Sequence, residues 1–155
     1  MTEMSEKKLQ VFINSVQKYF SQIMDEDELV VGTPYLVENR VPSAKDYTGV
    51  ISISGRRNGV VYFTAPKDLL ERLLVLMGEP DTGEAMMVDL VGEVANTIAG
   101  NARVEFGEDF EISVPLILRG PPNETMLPRD KERSFVVPVN WRGRSASIVA
   151  AFRKN

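Results

Sequence analysis

The chain has 155 residues, 43% hydrophobic and 26% charged, with 18 Lys+Arg against 22 Asp+Glu for a formal net charge of −4. That length and composition describe one ordinary folded domain over positions 1–155, large enough to bury a core without staples. It has no cysteine and no histidine, which excludes disulfides, thiolate nucleophiles, Ser–His couples and imidazole metal ligands.

From Ser5 to about Met24, Leu9, Phe12, Ile13, Val16, Phe20 and Ile23 recur at three- and four-residue steps and predict a helix with one apolar stripe. The acidic run Asp25–Glu28 reads as a solvated loop, since the Gly and spaced ligands of a calcium loop are absent. A strand is expected at Pro34–Asn39. Val50–Ser54 and Val60–Thr64 flank Gly55-Arg-Arg-Asn-Gly59 and predict a hairpin, with Arg56–Arg57 in its solvated turn. A second helix starts near Pro66, a good first-turn residue, and runs to Met77, where Gly78 and Pro80 stop it. The third and longest runs from about Gly83 to Phe106, with Gly107 as its terminator.

A further strand is expected at Glu111–Leu118. Ser134–Trp141 and Arg144–Phe152 flank Arg142-Gly143 and predict a second hairpin. Between them, from Gly120 to Arg133, runs a polar, proline-rich loop. The order is helix, three strands, helix, helix, three strands, so the second half echoes the first. The expected fold is α+β, with about six mostly antiparallel strands in two α-β-β-β pseudo-repeats and helices packed on one face.

An acidic balance argues against a nucleic-acid partner, because phosphate binding wants a basic face. No charged leader precedes an apolar segment and no run approaches 18 apolar residues, so the reading is a cytoplasmic protein without membrane insertion.

The third helix carries the most information. At about 100° per residue, Asp89, Glu93, Asn96, Gly100 and Arg103 fall within roughly 40° either side of one line. Met87, Val91, Val94, Ile98 and Ala102 lie opposite and are expected to face the core. Acids on such a stripe are commonly solvated surface, and Asp89 near the helix start also complements the dipole. Asn96 and Gly100 are different, since both weaken a helix interior. A glycine there lets another surface approach, and an amide beside it both donates and accepts hydrogen bonds.

Asp89-x-x-x-Glu93-x-x-Asn96, continuing Thr-Ile-Ala-Gly100-Asn, resembles the signature helix of the CheC/CheX/FliY family of chemotaxis phosphatases. Gly59-Val-Val-Tyr-Phe-Thr and Leu73-Leu-Val-Leu-Met-Gly resemble the strand and helix before that segment in CheX proteins, and Ile112-Ser-Val-Pro115, with Gly120 beyond, the strand after it. CheC members carry the motif on both pseudo-equivalent helices. Here the first helix has Asn14 but Val11 in place of the Glu, the single-motif situation of CheX. The spacing from Asn96 to Pro115 is shorter than the family's, as though the loop around Gly107–Asp109 were trimmed.

The resemblance implies a phosphatase that dephosphorylates a CheY-like response-regulator receiver domain. Asn96 would hold a water in line with phosphorus and Glu93 would pair with the receiver's lysine. Asp89, Gly100 and Arg103 would belong to the docking surface. The chain would need no cofactor of its own, since the receiver brings its aspartyl phosphate, Mg²⁺ and lysine. A homodimer is implied likewise. The alternatives are a non-catalytic receiver-binding adaptor and a dimeric scaffold with the same fold. A hydrolase built on Asp89 and Glu93 is disfavoured, because acids on an open helix lack the enclosure that separates their pKa values.

Overall fold

In chain order the computed structural model carries α1 (Glu6–Ser21), β1 (Leu29–Val31), β2 (Tyr35–Glu38), β3 (Tyr47–Gly55), β4 (Gly59–Ala65), α2 (Lys67–Leu76), α3 (Glu84–Phe106), β5 (Phe110–Ile112), β6 (Leu116–Arg119), β7 (Arg133–Trp141) and β8 (Arg144–Phe152). The structure describes residues 6–22, 29–32, 35–38, 46–55, 59–106, 110–119 and 133–152. The expected acidic loop at 25–28, the turn at 56–58, the terminator Gly107 with its shortened loop, and the proline-rich loop at 120–132 lie outside them. Among the described residues no helix is long and apolar enough to cross a membrane.

All strand segments among the described residues join one antiparallel sheet in the order β1-β7-β8-β4-β3-β5, with β2 also on β7 and β6 also on β3. Eight segments therefore fill six positions, each outer position being shared by two short segments. The two pseudo-repeats are α1–β1/β2–β3–β4 and α3–β5/β6–β7–β8. Their last strands, β4 and β8, meet at the centre of the sheet. Their first strands are exchanged: β1/β2 borders β7 of the other repeat, and β5/β6 borders β3.

The single strand expected at Glu111–Leu118 is broken, and the register shows why. Ile53 opposes Ile112 and Val50 opposes Leu116, so Ser113, Val114 and Pro115 face only Ile51 and Ser52. That extra residue is a bulge, at a proline with no N–H to give the ladder. Ser113 closes the gap: its N–H donates to the Ser52 carbonyl at 3.0 Å, and its Oγ accepts from the Ser52 N–H at 2.9 Å. The other outer position repeats the offset, with Val31 opposite Val139 and Tyr35 opposite Val136. There the Gly32 N–H donates to the Pro138 carbonyl at 2.8 Å. In sequence, Pro34 stands one residue before β2 as Pro115 stands one before β6.

Alternation sorts the sheet into two faces. Ile51, Ile53, Val61, Phe63, Ala65, Val137, Val139, Trp141, Ala146, Ile148 and Ala150 point to the helices and form one core with Val16, Tyr19 and Phe20 of α1, the leucines of α2 and the inner face of α3. Val50, Val60, Tyr62, Val136 and Val149 form a second buried cluster on the opposite face, where Thr48 Oγ1 donates to its cross-strand partner Thr64 at 3.0 Å. The helices thus lie on one face, as expected.

Helix α2 buries Leu69, Leu70, Leu73 and Leu74, each contributing about 1.5–3 kcal/mol. Pro66 is its N-cap and offers no side-chain bond. The Lys67 N–H instead donates to Asp46 Oδ2 at 2.6 Å, so the start of β3 caps the helix. At its other end Gly78 adopts φ +80°, and the N–H groups of Gly78 and Glu79 donate to the carbonyls of Val75 and Leu74 at 3.0 Å. This is a Schellman closure, which an αL glycine permits.

Candidate functional site

Helix α3 is seated on the sheet by small residues. A Cβ on Gly49 of β3 would lie 2.9 Å from the Val91 carbonyl oxygen and 3.3 Å from the Ala95 methyl, so only glycine lets the helix come this near. Gly92 likewise accommodates Pro115 and Ile117 of the β5–β6 edge, with Ile117 Cδ1 at 3.0 Å from its notional Cβ. Met87, Leu90, Val91, Val94, Ala95, Ile98 and Ala99 are all 2% exposed or less. The side chain of Ala102, expected on this inner face, lies outside the described residues.

Both ends of α3 are tied down. At the start, Asp81 Oδ1 accepts the Gly83 N–H at 2.8 Å, and the Gly83 carbonyl accepts the first helical bond from Met87. Glu84 in the first turn pairs with Arg119 of β6 and accepts a weak bond from the Tyr47 hydroxyl at 3.4 Å. At the far end, Arg103 Nε donates to the Phe110 carbonyl at the start of β5. Arg103 therefore fastens the helix to the sheet, a role the sequence pattern did not suggest, while its side chain stays exposed.

Between these ties the outer stripe is open. Asp89, Glu93 and Asn96 are exposed, and none makes a hydrogen bond or ion pair with another described residue. Asn96 stands one turn from Glu93, about 4.5 Å along the axis, and Asp89 about 6 Å on the other side. Gly100 is half-buried, but a Cβ placed on it meets nothing within 4 Å. Unlike Gly49, it is not required by packing against the described residues. The stripe is thus a carboxylate, a second carboxylate, an amide and a bare stretch of backbone, on a helix whose far side is fixed. Such a surface can present an amide and a carboxylate to a docked molecule at low reorganisation cost.

Two residues near the stripe had no sequence signal. Val104, 79% exposed, extends the open face with an apolar side chain beyond Gly100. Tyr19 of α1 is 6% exposed, and burial, followed by the charge of the Glu93 carboxylate, pushes its phenol well above the ordinary tyrosine range. A tyrosine on the apolar stripe of a helix reads as core, and its relation to Glu93 exists only once α1 packs on α3. On α1 itself, Asn14 is exposed and accepts from Gln10 Nε2 at 2.9 Å; no carboxylate accompanies it, because position 11 is valine.

The family model of the chemotaxis phosphatase CheX matches residues 47–140, a span from the start of β3 to the last residue but one of β7 that includes all of α3. In structure the chain is similar to a chemotactic CheC-like protein from Shewanella oneidensis MR-1, at TM-score 0.81 and 22% identity over 97% of this chain and 100% of that one. It is similar to the chemotaxis protein CheX from Vibrio vulnificus, at TM-score 0.75 and 20% identity over 95% and 99%. The CheX–CheY–BeF3–Mg²⁺ complex from Borrelia burgdorferi gives TM-score 0.74 and 16% identity over 95% and 98%. No curated protein matches in sequence. At these identities the structural likeness establishes a shared fold.

Proposed function

The chain belongs to the chemotaxis phosphatase CheX family, and from that premise we propose that it accelerates hydrolysis of the aspartyl phosphate on a CheY-like receiver domain. The observation that carries this reading is the open stripe of α3: Asp89, Glu93 and Asn96 exposed and, among the described residues, without a hydrogen bond or ion pair, beside the bare backbone of Gly100. A relative of the same fold was crystallised in complex with CheY, which supports a receiver as the partner.

In the proposed mechanism α3 docks on the receiver with Gly100 at the point of closest approach. The Asn96 amide enters the receiver's site, accepts from and donates to a water, and holds it in line with phosphorus. Catalysis by positioning asks for little protein covalent chemistry, consistent with a chain that has no imidazole or thiol. Glu93 pairs with the receiver's lysine through a charge-assisted contact that sets the register of docking. Asp89 belongs to the docking surface, and Arg103 borders it. The receiver supplies Mg²⁺ together with its phosphoryl group, and the chain works as a homodimer.

The test mixes the purified protein with a phosphorylated receiver from the same genome and follows phosphate release. Wild type should speed the decay. Asn96→Ala should abolish the effect with binding kept, and Glu93→Arg should weaken the encounter. Equal activity in wild type and Asn96→Ala would sink the mechanism. Binding without faster decay would identify an adaptor instead.

A further inference from the structure

Among the described residues the two most exposed large hydrophobic side chains are Val114, at 85%, and Val104, at 79%; the next, Val30, stands at 58%. A single exposed valine needs no explanation. The placement of these two does, because both border the open stripe of α3. Val104 lies one turn beyond Gly100, on the Glu93 side of the helix. Val114 belongs to the bulge between β5 and β6, and that edge of the sheet runs antiparallel along the other flank of α3. Three contacts fix the alignment: Arg103 bonds to Phe110, Gly92 takes Pro115 and Ile117 against its bare backbone, and Glu84 pairs with Arg119. From Arg103 back to Gly92 the helix covers about 16 Å, and from Phe110 to Pro115 the strand covers about as much. The bulge therefore stands level with the turn from Gly92 to Asn96.

The bulge is also braced. Ser113 Oγ accepts from the Ser52 N–H at 2.9 Å and donates to the Val114 carbonyl at 3.0 Å, while the Ser113 N–H donates to the Ser52 carbonyl. On the far side Pro115 fixes its own φ and has no N–H to give. A bulge and a proline make this stretch a poor template for a further strand, so what it offers a neighbour is a side chain. Bulges commonly re-aim a side chain beside a functional site. Here that side chain is a valine, stiff at χ1, on a backbone already held, so covering it costs little freedom.

We propose that Val114 and Val104 are the apolar contacts of the docked receiver, flanking Asn96 and Glu93 on either side. This rests on the phosphatase reading of the stripe and supplies the rest of its docking surface. The amide and the carboxylate alone would meet the receiver in open water. Apolar contacts on both flanks exclude solvent around them, as rims do around the few strong contacts of an interface. The partner's chemistry follows: the receiver presents apolar side chains on both sides of its phosphorylated aspartate.

The test titrates a CheY-like receiver from the same genome, loaded with beryllofluoride and Mg²⁺, in a calorimeter, alongside the phosphate-release assay. Val114→Ser should weaken Kd roughly tenfold, the equivalent of one buried valine. KM should rise by the same factor with the maximal rate near wild type. Val104→Ser should act likewise, and Val114→Ile should bind as wild type does. Val30→Ser, at the opposite edge of the sheet, is the control and should change neither constant. Melting temperatures should stay within about 2 °C of wild type, as for other surface substitutions. Unchanged Kd and KM in Val114→Ser and Val104→Ser overturn the proposal, as does equal weakening by Val30→Ser. A smaller sedimenting mass for Val114→Ser would make the bulge a contact between copies of the chain and overturn it too. If wild type binds without speeding phosphate release, the phosphatase reading falls while Kd still decides the docking surface. If wild type does not bind, both fall.

Discussion

Gly100→Ala separates what the helix needs from what its partner needs. A mid-helix glycine costs about 1 kcal/mol against alanine, and a Cβ at position 100 meets nothing within 4 Å. The substitution should therefore stabilise the protein by about 1 kcal/mol, a rise of roughly 2–4 °C in melting temperature for a chain of this size. In the receiver assay the same methyl stands where the partner is expected to press against bare backbone, so turnover should fall, and Gly100→Leu should cut it further. Gly49→Ala is the internal control. Its Cβ would lie 2.9 Å from the Val91 carbonyl oxygen and 3.0 Å from Val91 Cγ1, an overpacking that should cost about 1–3 kcal/mol. Calorimetry on the three proteins, paired with phosphate release, reads both effects. A lower melting temperature for Gly100→Ala refutes the open-space argument. Undiminished turnover in Gly100→Leu refutes close approach at this position.

Two other outcomes follow from the geometry. Arg103→Ala removes the bond to the Phe110 carbonyl and should lower stability by about 1 kcal/mol in urea unfolding; an unchanged midpoint would show that the tie contributes nothing. Alkaline pH gives a second. The Tyr19 phenol is raised by burial and by Glu93, so its contribution to stability is complete below the unfolded value of about 10 and is lost as pH climbs beyond it. Wild type should thus lose stability more steeply above pH ~10 than Tyr19→Phe, by up to about 1.4 kcal/mol per pH unit. Parallel pH profiles would refute this.

Helix α3 was legible because its information is local: 3.6-residue periodicity separates Val91, Val94 and Ile98 from Asp89, Glu93 and Asn96, and the buried and exposed sides fall where that period puts them. The stops at Gly78 and the two hairpins are local as well. What escaped the sequence depends on contacts between distant segments. Ile112 and Ile117 reach the same face of the sheet only because a bulge intervenes, and a run from 111 to 118 reads naturally as one strand. Strand β1 spans three residues, too few to show alternation. The spatial order of the strands was beyond periodicity altogether, since nothing in 29–38 states that its partner is β7. Tyr19 was hidden for the same reason.

The exchanged outer strands have a consequence for how the protein is made. Leu29 pairs with Trp141, and Tyr47 with Arg119. On the ribosome, β1/β2 and the outer edge of β3 emerge early and must wait until most of the chain has been translated. Closing such long loops is entropically costly and comes before the contacts that repay it. Neither repeat can finish its share of the sheet alone, so vectorial synthesis gains no completed repeat along the way. The sheet closes as a whole only when β7 and β8 join β1/β2 to β4.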